Sequence, residues 1–325
     1  MCRLYGYLSE QPTRIECGLV CSQNSILRQS IEDRRGLPNP DGWGLAYYVD
    51  GKPHLRRKAA SASRDPGFPA SATRIYTNAL VAHVRRASVG NVSLANTHPF
   101  RAGRWVFAHN GTIPGFEAVQ RRMKPETPTS LLRLRRGTTD SELCFLWLLG
   151  RLERVVPGAI KSGAPQAAVV PIVRDAIRQI VAWCLLEGID EAPGLNLVLS
   201  DGHGLTASRF GATLYVLRRR KLGTCELCQS CHCPRCRERR HAGHVPMADS
   251  RAFVVASEPL TDEDWVELPE ACVIGASQSL QETLVPCATK NRGGRSSGHR
   301  TRHQPGSFER GWPRAPDEAG SGGSS

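Results

Sequence analysis

The 325-residue chain lacks any run of about 20 apolar residues, the length a membrane-spanning helix needs. Its first thirty residues also lack the basic start and apolar stretch of a secretory signal. Together these absences predict a cytoplasmic protein and exclude Cys2 as a lipoprotein attachment site. Aromatic residues are scarce at 6%, which matters because the net charge of +13 otherwise suggests a nucleic-acid partner. The arginines crowd Arg121–Arg136, Arg218–Arg240 and Lys290–Arg314. These segments read as solvated loops or tail, nearly empty of the aromatics on which bases stack. Nucleic acid is therefore not the expected partner. No internal repeat is present.

What the chain does have is cysteine, twelve in all, many for a compartment in which disulfides rarely persist. Cys17, Cys21, Cys144, Cys184, Cys272 and Cys287 read as ordinary buried or incidental thiols. Five more fall in Cys225-x-x-Cys228-x-x-Cys231-x-Cys233-x-x-Cys236, with His232, His241 and His244 nearby. Two thiolates on one Cys-x-x-Cys turn meet two corners of a zinc tetrahedron, so Cys225, Cys228, Cys233 and Cys236 are candidate ligands for a structural zinc. The loop between the two hooks is shorter than in the usual zinc ribbons. An iron–sulfur or redox centre and an unliganded Arg/Cys-rich hairpin loop are the other readings. Whichever holds, the cluster reads as an insertion near 222–246 between two strands, outside the chemistry.

The remaining cysteine is Cys2, directly after the initiator methionine. A small residue at this position is what methionine removal requires. Once Met1 is gone, thiol and free α-amine share one residue, and an amine with a pKa of about 7.7–8.0 accepts a proton near neutrality.

Residues 3–8 read as a first strand that would anchor this terminus, and residues 23–35 as a short helix or loop. Pro40-Asp41-Gly42 then turns into a strand that ends at the hairpin signal Asp50-Gly51. The glycines either side of Trp43 predict close backbone approach. Ala79–Ser88 and Gly103–Ile113 each begin as buried strands and run into polar residues, the second through the turn-forming His109-Asn110-Gly111. Thr138-Thr139-Asp140-Ser141-Glu142 caps a helix from Leu143, and a second helix follows near Ala167–Leu186. Strands return at Leu195–Leu199, Leu205–Phe210, Thr213–Leu217, Arg251–Ser257 and Trp265–Leu268. The pattern predicts an α+β domain with largely antiparallel sheets over 2–285, followed by a disordered tail over 286–325.

Four elements carry chemistry: Cys2, Arg85, Asn110-Gly111 and Asp140. A thiol attacking an amide carbonyl needs an oxyanion hole, which an Asn side-chain amide beside a Gly N–H can build. An α-amino-acid substrate needs a cation for its carboxylate, here Arg85, and an anion for its ammonium, here Asp140. His98 reads as structural or pocket-lining, His83 and His109 as packing or supporting donors, and Asp41 and Trp43 as shaping the turn and core.

Met1-Cys2, Asp41-Gly42-Trp43-Gly44, Ala82-His83-Val84-Arg85, His109-Asn110-Gly111 and Thr139-Asp140-Ser141-Glu142 occur in the order seen in class II glutamine amidotransferases, which belong to the N-terminal-nucleophile hydrolases. The sequence resembles that family over roughly residues 2–285. The resemblance implies a four-layer αββα sandwich with two antiparallel sheets. It also implies Cys2 as nucleophile with its α-amine as base, and Asn110 (side chain) with Gly111 (N–H) as oxyanion hole. Arg85 would then bind the substrate carboxylate and Asp140 its ammonium. In larger relatives Ala-His-x-Arg continues Trp-Ala-Thr-His-Gly; here it continues Arg86-Ala87-Ser88-Val89-Gly90. The chain is more similar to stand-alone members that start Met-Cys-Arg-Leu-x-Gly and carry Asn-x-His-Pro-Phe, here Asn96–Phe100. Gly103-Arg104-Trp105, Ser200-Asp201-Gly202 and Ala256-Ser257-Glu258-Pro259-Leu260 add to that likeness. The branch includes hydrolases of γ-glutamyl amides.

The expectation is therefore an enzyme that cleaves a γ-glutamyl amide, glutamine or a γ-glutamyl conjugate, with no cofactor needed for the hydrolysis. Residues 286–325 cannot form a synthase domain, so transfer of ammonia would need a separate partner protein. An alternative of another class is a zinc-stabilised basic binding module without catalysis.

Overall fold

Residues 3–85 fold as four strands and three short helical segments between Gly- and Pro-marked turns. The computed structural model describes residues 2–219 and 251–287. The Cys225–Cys236 cluster, the expected insertion and all but the first two residues of the expected tail lie outside the described residues.

Strand β1 (Arg3–Arg14) is followed by a π-helical turn at Cys17–Cys21 and helix α1 (Ile26–Ile31), which Ser25 caps through the Arg28 N–H. Then come β2 (Gly42–Val49), β3 (Lys52–Lys58), α2 (Gly67–Ala72) and β4 (Tyr76–Arg85). The β2–β3 turn places Asp50 and Gly51 at φ 50° and 69°, the double positive φ of a two-residue hairpin. The middle of the chain holds β5 (Phe100–Ala102), β6 (Trp105–Asn110), α3 (Phe116–Glu126), α4 (Thr129–Leu132), α5 (Asp140–Val155), α6 (Ala159–Ser162) and α7 (Gln166–Leu186). It closes with β7 (Asn196–Ser200), β8 (Gly204–Arg209), β9 (Tyr215–Arg219), β10 (Ala252–Ala256), β11 (Val266–Glu267), β12 (Cys272–Ser277) and β13 (Glu282–Pro286).

The strands form two antiparallel sheets, ordered β11-β9-β10-β1-β4-β2-β3 and β13-β12-β8-β7-β6-β5. The outer face of the seven-stranded sheet buries Tyr5, Tyr7, Leu80 and Val84 against Leu19, Ile26 and Phe68 from the π-turn, α1 and α2. The outer face of the six-stranded sheet buries Phe107, Leu197 and Leu199 against Trp147 of α5, Ile177 of α7 and Met123 of α3. Each such fully buried side chain stabilises the fold by roughly 1.5–3 kcal/mol. A Cβ on Gly6 would sit 3.0–3.1 Å from Val198 and Leu205 of the opposite sheet, so the two inner faces touch directly. The order helix, sheet, sheet, helix is the four-layer αββα arrangement that was expected.

Two expectations change. The Arg121–Arg136 stretch is partly helical: α3 buries Val119 and Met123 one turn apart, and Arg122 on its open side pairs with Glu187 at 2.5 Å. Strands β5, β12 and β13 join the sheets beyond those anticipated, and β3 is the second arm of the Asp50-Gly51 hairpin.

Candidate active site

Strand pairing determines which residues converge. Leu4 pairs with His83 and Gly6 with Val81, and paired residues share a face. Gly6 faces the second sheet, so Cys2 and Arg85 point into the same inter-sheet space at one end of the strands. In the second sheet Ala108 pairs with Val198 and Asn110 with Asn196. Val198 meets Gly6, so Asn110 faces back toward Cys2 and Arg85.

The Cys2 Sγ lies 3.3 Å from both the N–H and the carbonyl of Arg86, accepting from the first and donating to the second. Burial raises the thiol pKa above its ordinary value; the Arg86 N–H and the charges of Arg85 and Arg3 oppose the rise without cancelling it. The resting group is therefore a thiol. The turn that carries Arg86 is fixed by Asp41, whose N–H donates to the Arg85 carbonyl at 2.9 Å and whose carboxylate accepts from Ala87 N at 2.7 Å. This backbone cradle was invisible in the sequence, because any residue at 86 supplies the same N–H and C=O.

Arg85 is buried, and its guanidinium donates to the carbonyls of Asn91 at 3.0 Å and Val89 at 2.9 Å. A guanidinium has five N–H donors, so this holds the 86–91 loop closed while leaving donor capacity. Asn96 secures the same loop to the next segment, donating to Asn91 and accepting from Thr138 N at 2.9 Å.

Asn110 is buried, and its Oδ1 has no hydrogen-bond partner among the described residues. Gly111 is a close-approach position: a Cβ there would lie 2.0 Å from the Gly194 carbonyl oxygen. That carbonyl sits 2.8 Å from His109 Nε2, whose ring reaches Ser141 Oγ at 2.8 Å through Nδ1. His109 thus ties the Asn-Gly turn to the start of α5. Asp140, the first residue of α5, is buried and accepts from the N–H groups of Ile113 and Ser141, each at 2.8 Å. A carboxylate has about four acceptor sites, so room remains for an ammonium. Ser88 and Thr112 meet at 3.1 Å and close the circuit between the two sheet ends.

Trp43 and His98 lie in the packing. The Trp43 indole donates to Asp65 at 2.8 Å and packs edge-on to Phe68. His98 lies over Gly44, where a Cβ would meet its carbonyl at 2.0 Å, with its ring 4.4 Å from that of His83. Burial pushes both imidazoles down, His83 to about 3.

This arrangement gathers a protonated thiol, an unpaired Asn amide oxygen, a glycine N–H, an arginine and a carboxylate at one sheet end. Compared with known families, residues 1–291 match the family model described as "Glutamine amidotransferases class-II". The chain belongs to the class II glutamine amidotransferases. A Saccharomyces cerevisiae protein named "Probable glutamine amidotransferase DUG3" is 28% identical over 84% of this chain and 81% of its own length. A γ-glutamyl-hercynylcysteine sulfoxide hydrolase of Mycobacterium tuberculosis is 30% identical over 86% of this chain and 94% of its own. Among solved structures, a class-II domain protein from Silicibacter pomeroyi superposes with a TM-score of 0.57 at 22% identity, covering 88% of this chain and 99% of that one. The Bacillus subtilis glutamine phosphoribosylpyrophosphate amidotransferase gives 0.51 at 14% identity; the match covers 88% of this chain but only 49% of that larger one. These class II amidotransferase structures share the N-terminal-nucleophile sandwich described above. The chain is therefore an enzyme of this family, with γ-glutamyl amide hydrolysis among the activities of its relatives. No helix among the described residues is long and apolar enough to cross a membrane.

Proposed function

We propose that this protein hydrolyses a γ-glutamyl amide through a thioester on Cys2. The observation that carries the reading is the Cys2 thiol, held by both polar groups of the Arg86 backbone where the Asn110-Gly111 turn, Arg85 and Asp140 converge. Removal of Met1 would free the Cys2 amine. In the attack the thiol proton passes to that amine while Sγ bonds to the γ-carbonyl carbon. The carbonyl oxygen gains negative charge, and Asn110 Nδ2 and Gly111 N–H supply the donors that stabilise it. The ammonium then returns its proton to the leaving nitrogen as the C–N bond breaks, giving the thioester and a free amine. A water deprotonated by the same amine adds to the thioester, and collapse releases glutamate and restores the thiol.

Arg85 serves as the carboxylate clamp and Asp140 as the ammonium clamp, both anchored to backbone before substrate arrives, so little ordering is left to binding. None of these steps calls for a cofactor. The mycobacterial relatives, named as hydrolases of a γ-glutamyl conjugate, support free hydrolysis over transfer of ammonia to a partner.

The test is glutamate release from glutamine, glutathione and other γ-glutamyl compounds by the purified protein, with Cys2→Ala alongside. Cys2→Ala should reduce turnover to background while leaving the unfolding midpoint unchanged. Intact-mass measurement should show Met1 absent. Full activity in Cys2→Ala, or an active enzyme that retains Met1, would sink the mechanism.

A further inference from the structure

The third residue is a charged side chain in a strand whose neighbours are apolar, and it is buried. A buried arginine persists only when its charge and its donors are answered. Arg3 Nη2 pairs with Asp33 and, at 2.9 Å, with Glu258, whose side chains are 0% and 6% exposed. Both carboxylates are themselves tied down. Asp33 accepts from the N–H groups of Arg35 at 2.9 Å and Leu37 at 3.2 Å. Glu258 accepts from Arg34 N at 3.2 Å and Asn24 Nδ2 at 3.3 Å. One residue earlier, Ser257 exchanges hydrogen bonds with Leu4, donating its N–H to the Leu4 carbonyl at 3.0 Å and accepting the Leu4 N–H at 2.9 Å. The start of β1 is thus fastened to the end of β10 and to the loop after α1.

The other arm of the guanidinium reaches back along the chain. Arg3 Nη1 donates to the carbonyl of Cys2 at 2.9 Å. The consequence follows from the tetrahedral Cα. The Cys2 sulfur is held by the Arg86 backbone and the Cys2 carbonyl by Arg3. With two of the three heavy substituents of a chiral carbon fixed, the third, the nitrogen, has one direction left.

We propose that Arg3 is a positioning residue, which with Asp33 and Glu258 fixes how the freed α-amine of Cys2 faces its own thiol. The inference rests on the hydrolytic reading above. Without this hold, a single residue ahead of the first strand pairing rotates about its own bonds, and the amine leaves the sulfur's reach for part of the time. Arg3, Asp33 and Glu258 touch neither substrate nor the reacting atoms in this scheme. The sequence signal was present in Met1-Cys2-Arg3-Leu4 and Ser257-Glu258. Their separation by 255 positions hid the fact that one answers the other.

The experiment compares wild type with Arg3→Lys and Arg3→Gln, and with Glu10→Gln as a control. Glu10 lies in the same strand but pairs with Arg251 at the protein's surface. Lysine keeps the positive charge against Asp33 and Glu258 but has no fork to reach the Cys2 carbonyl as well. Three readouts are taken: the unfolding midpoint, kcat and KM for γ-glutamyl p-nitroanilide, and the pH dependence of Cys2 alkylation by iodoacetamide, located by mass spectrometry. Arg3→Lys should stay folded and lose about 10–100-fold in kcat with KM changed less than about threefold. Its alkylation midpoint should move by about one pH unit from that of wild type. Glu10→Gln should match wild type in both.

Arg3→Gln should show the same kinetic loss with lower stability. If it does not fold, Arg3→Lys carries the test. A folded Arg3→Lys with wild-type kcat and an unmoved alkylation profile overturns the proposal. Absence of Cys2-dependent turnover in wild type would refute the hydrolytic reading instead. The alkylation profiles would still judge Arg3, and coincident profiles would overturn its role.

Discussion

On the seven-stranded sheet, the residues around Cys2 are held by charge: Arg3 between two buried carboxylates, and Arg85 against the carbonyls of its own loop. On the six-stranded sheet, Asn110 and Gly111 are held by shape, with the Gly194 carbonyl occupying the space a side chain at 111 would need. The contrast has a physical reason. The first half holds Cys2 just ahead of β1, outside the strand pairing, and a fork of directed donors supplies the constraint that pairing does not. The second half is a turn between continuous elements, where close packing of two backbones is enough. Disturbances of charge should therefore act on one half, and disturbances of volume on the other.

The largest effect expected is from volume. Gly111→Ala sets a methyl against a backbone oxygen at 2.0 Å, and no side-chain rotation relieves that contact. The residue pair 111 and 194 must separate, carrying the proposed oxyanion donor with it. Stability should fall by about 3 kcal/mol, at the upper end of overpacking costs. Activity should fall by about two orders of magnitude or more, as when an oxyanion donor is removed. Denaturant melts and kcat measurements check the two together, and a neutral Gly111→Ala would mean that shape does not hold this half.

Acid is the corresponding probe of the first half. His83 lies on the inner face of the seven-stranded sheet, 4.4 Å from His98. Burial, against an opposing hydrogen bond with the His109 backbone and with help from the charge of Arg85, pushes its pKa down to about 3. In the unfolded chain the same group titrates near 6.5. Between those values the unfolded state binds the proton and the folded state does not, so stability falls as pH drops below about 6.5 and keeps falling toward 3. At pH 5 the loss from His83 should be about 2 kcal/mol, with His98 adding in the same direction. Below the ordinary carboxylate range Asp33 adds to it. Burial disfavours its charge, but the Arg35 N–H and Arg3 outweigh that and hold its carboxyl low. Urea melts across pH 4.5–8 should show the fall, and His83→Gln should flatten it. A flat wild-type curve would mean that the pair accepts protons inside the fold.

Much of this architecture was legible because it rests on local signals. Asp50-Gly51 announced its hairpin, Thr139 its helix cap, and Ala79–Ala82 its buried strand. The elements that escaped depend on distant partners. Cys272–Ser277 contains Gly275, a weak strand residue taken alone. In the fold its bare Cα lets α7 settle on the sheet, since a Cβ there would stand 2.4 Å from Val170. Arginine density made 121–136 look like loop, whereas Val119 and Met123, buried under α3, decide the helix. At the site the side chains with proposed chemical roles were named from motifs. The groups that hold them were not: the Arg86 backbone, the Gly194 carbonyl and the carboxylates of Asp33 and Glu258. A backbone group leaves no trace in residue type, and a carboxylate 30 or 255 positions away is not marked as a partner.

Asp140 is the buried carboxylate beside the shape-held Asn110-Gly111 turn, which makes it the finest test of the contrast. Its carboxylate accepts two backbone N–H groups, from Ile113 and Ser141. Asparagine at 140 keeps one acceptor oxygen and turns an N–H₂ group toward the other donor, so part of the anchoring survives. Stability should fall by about 1 kcal/mol, the value of one ordinary hydrogen bond. The loss of negative charge should show elsewhere, in a KM for γ-glutamyl substrates raised at least about tenfold, because the substrate ammonium loses its charge-assisted partner. If Asp140→Asn instead unfolds the protein and leaves KM unchanged, charge anchors the second sheet as it does the first. The carboxylate would then belong to the fold rather than to the ligand.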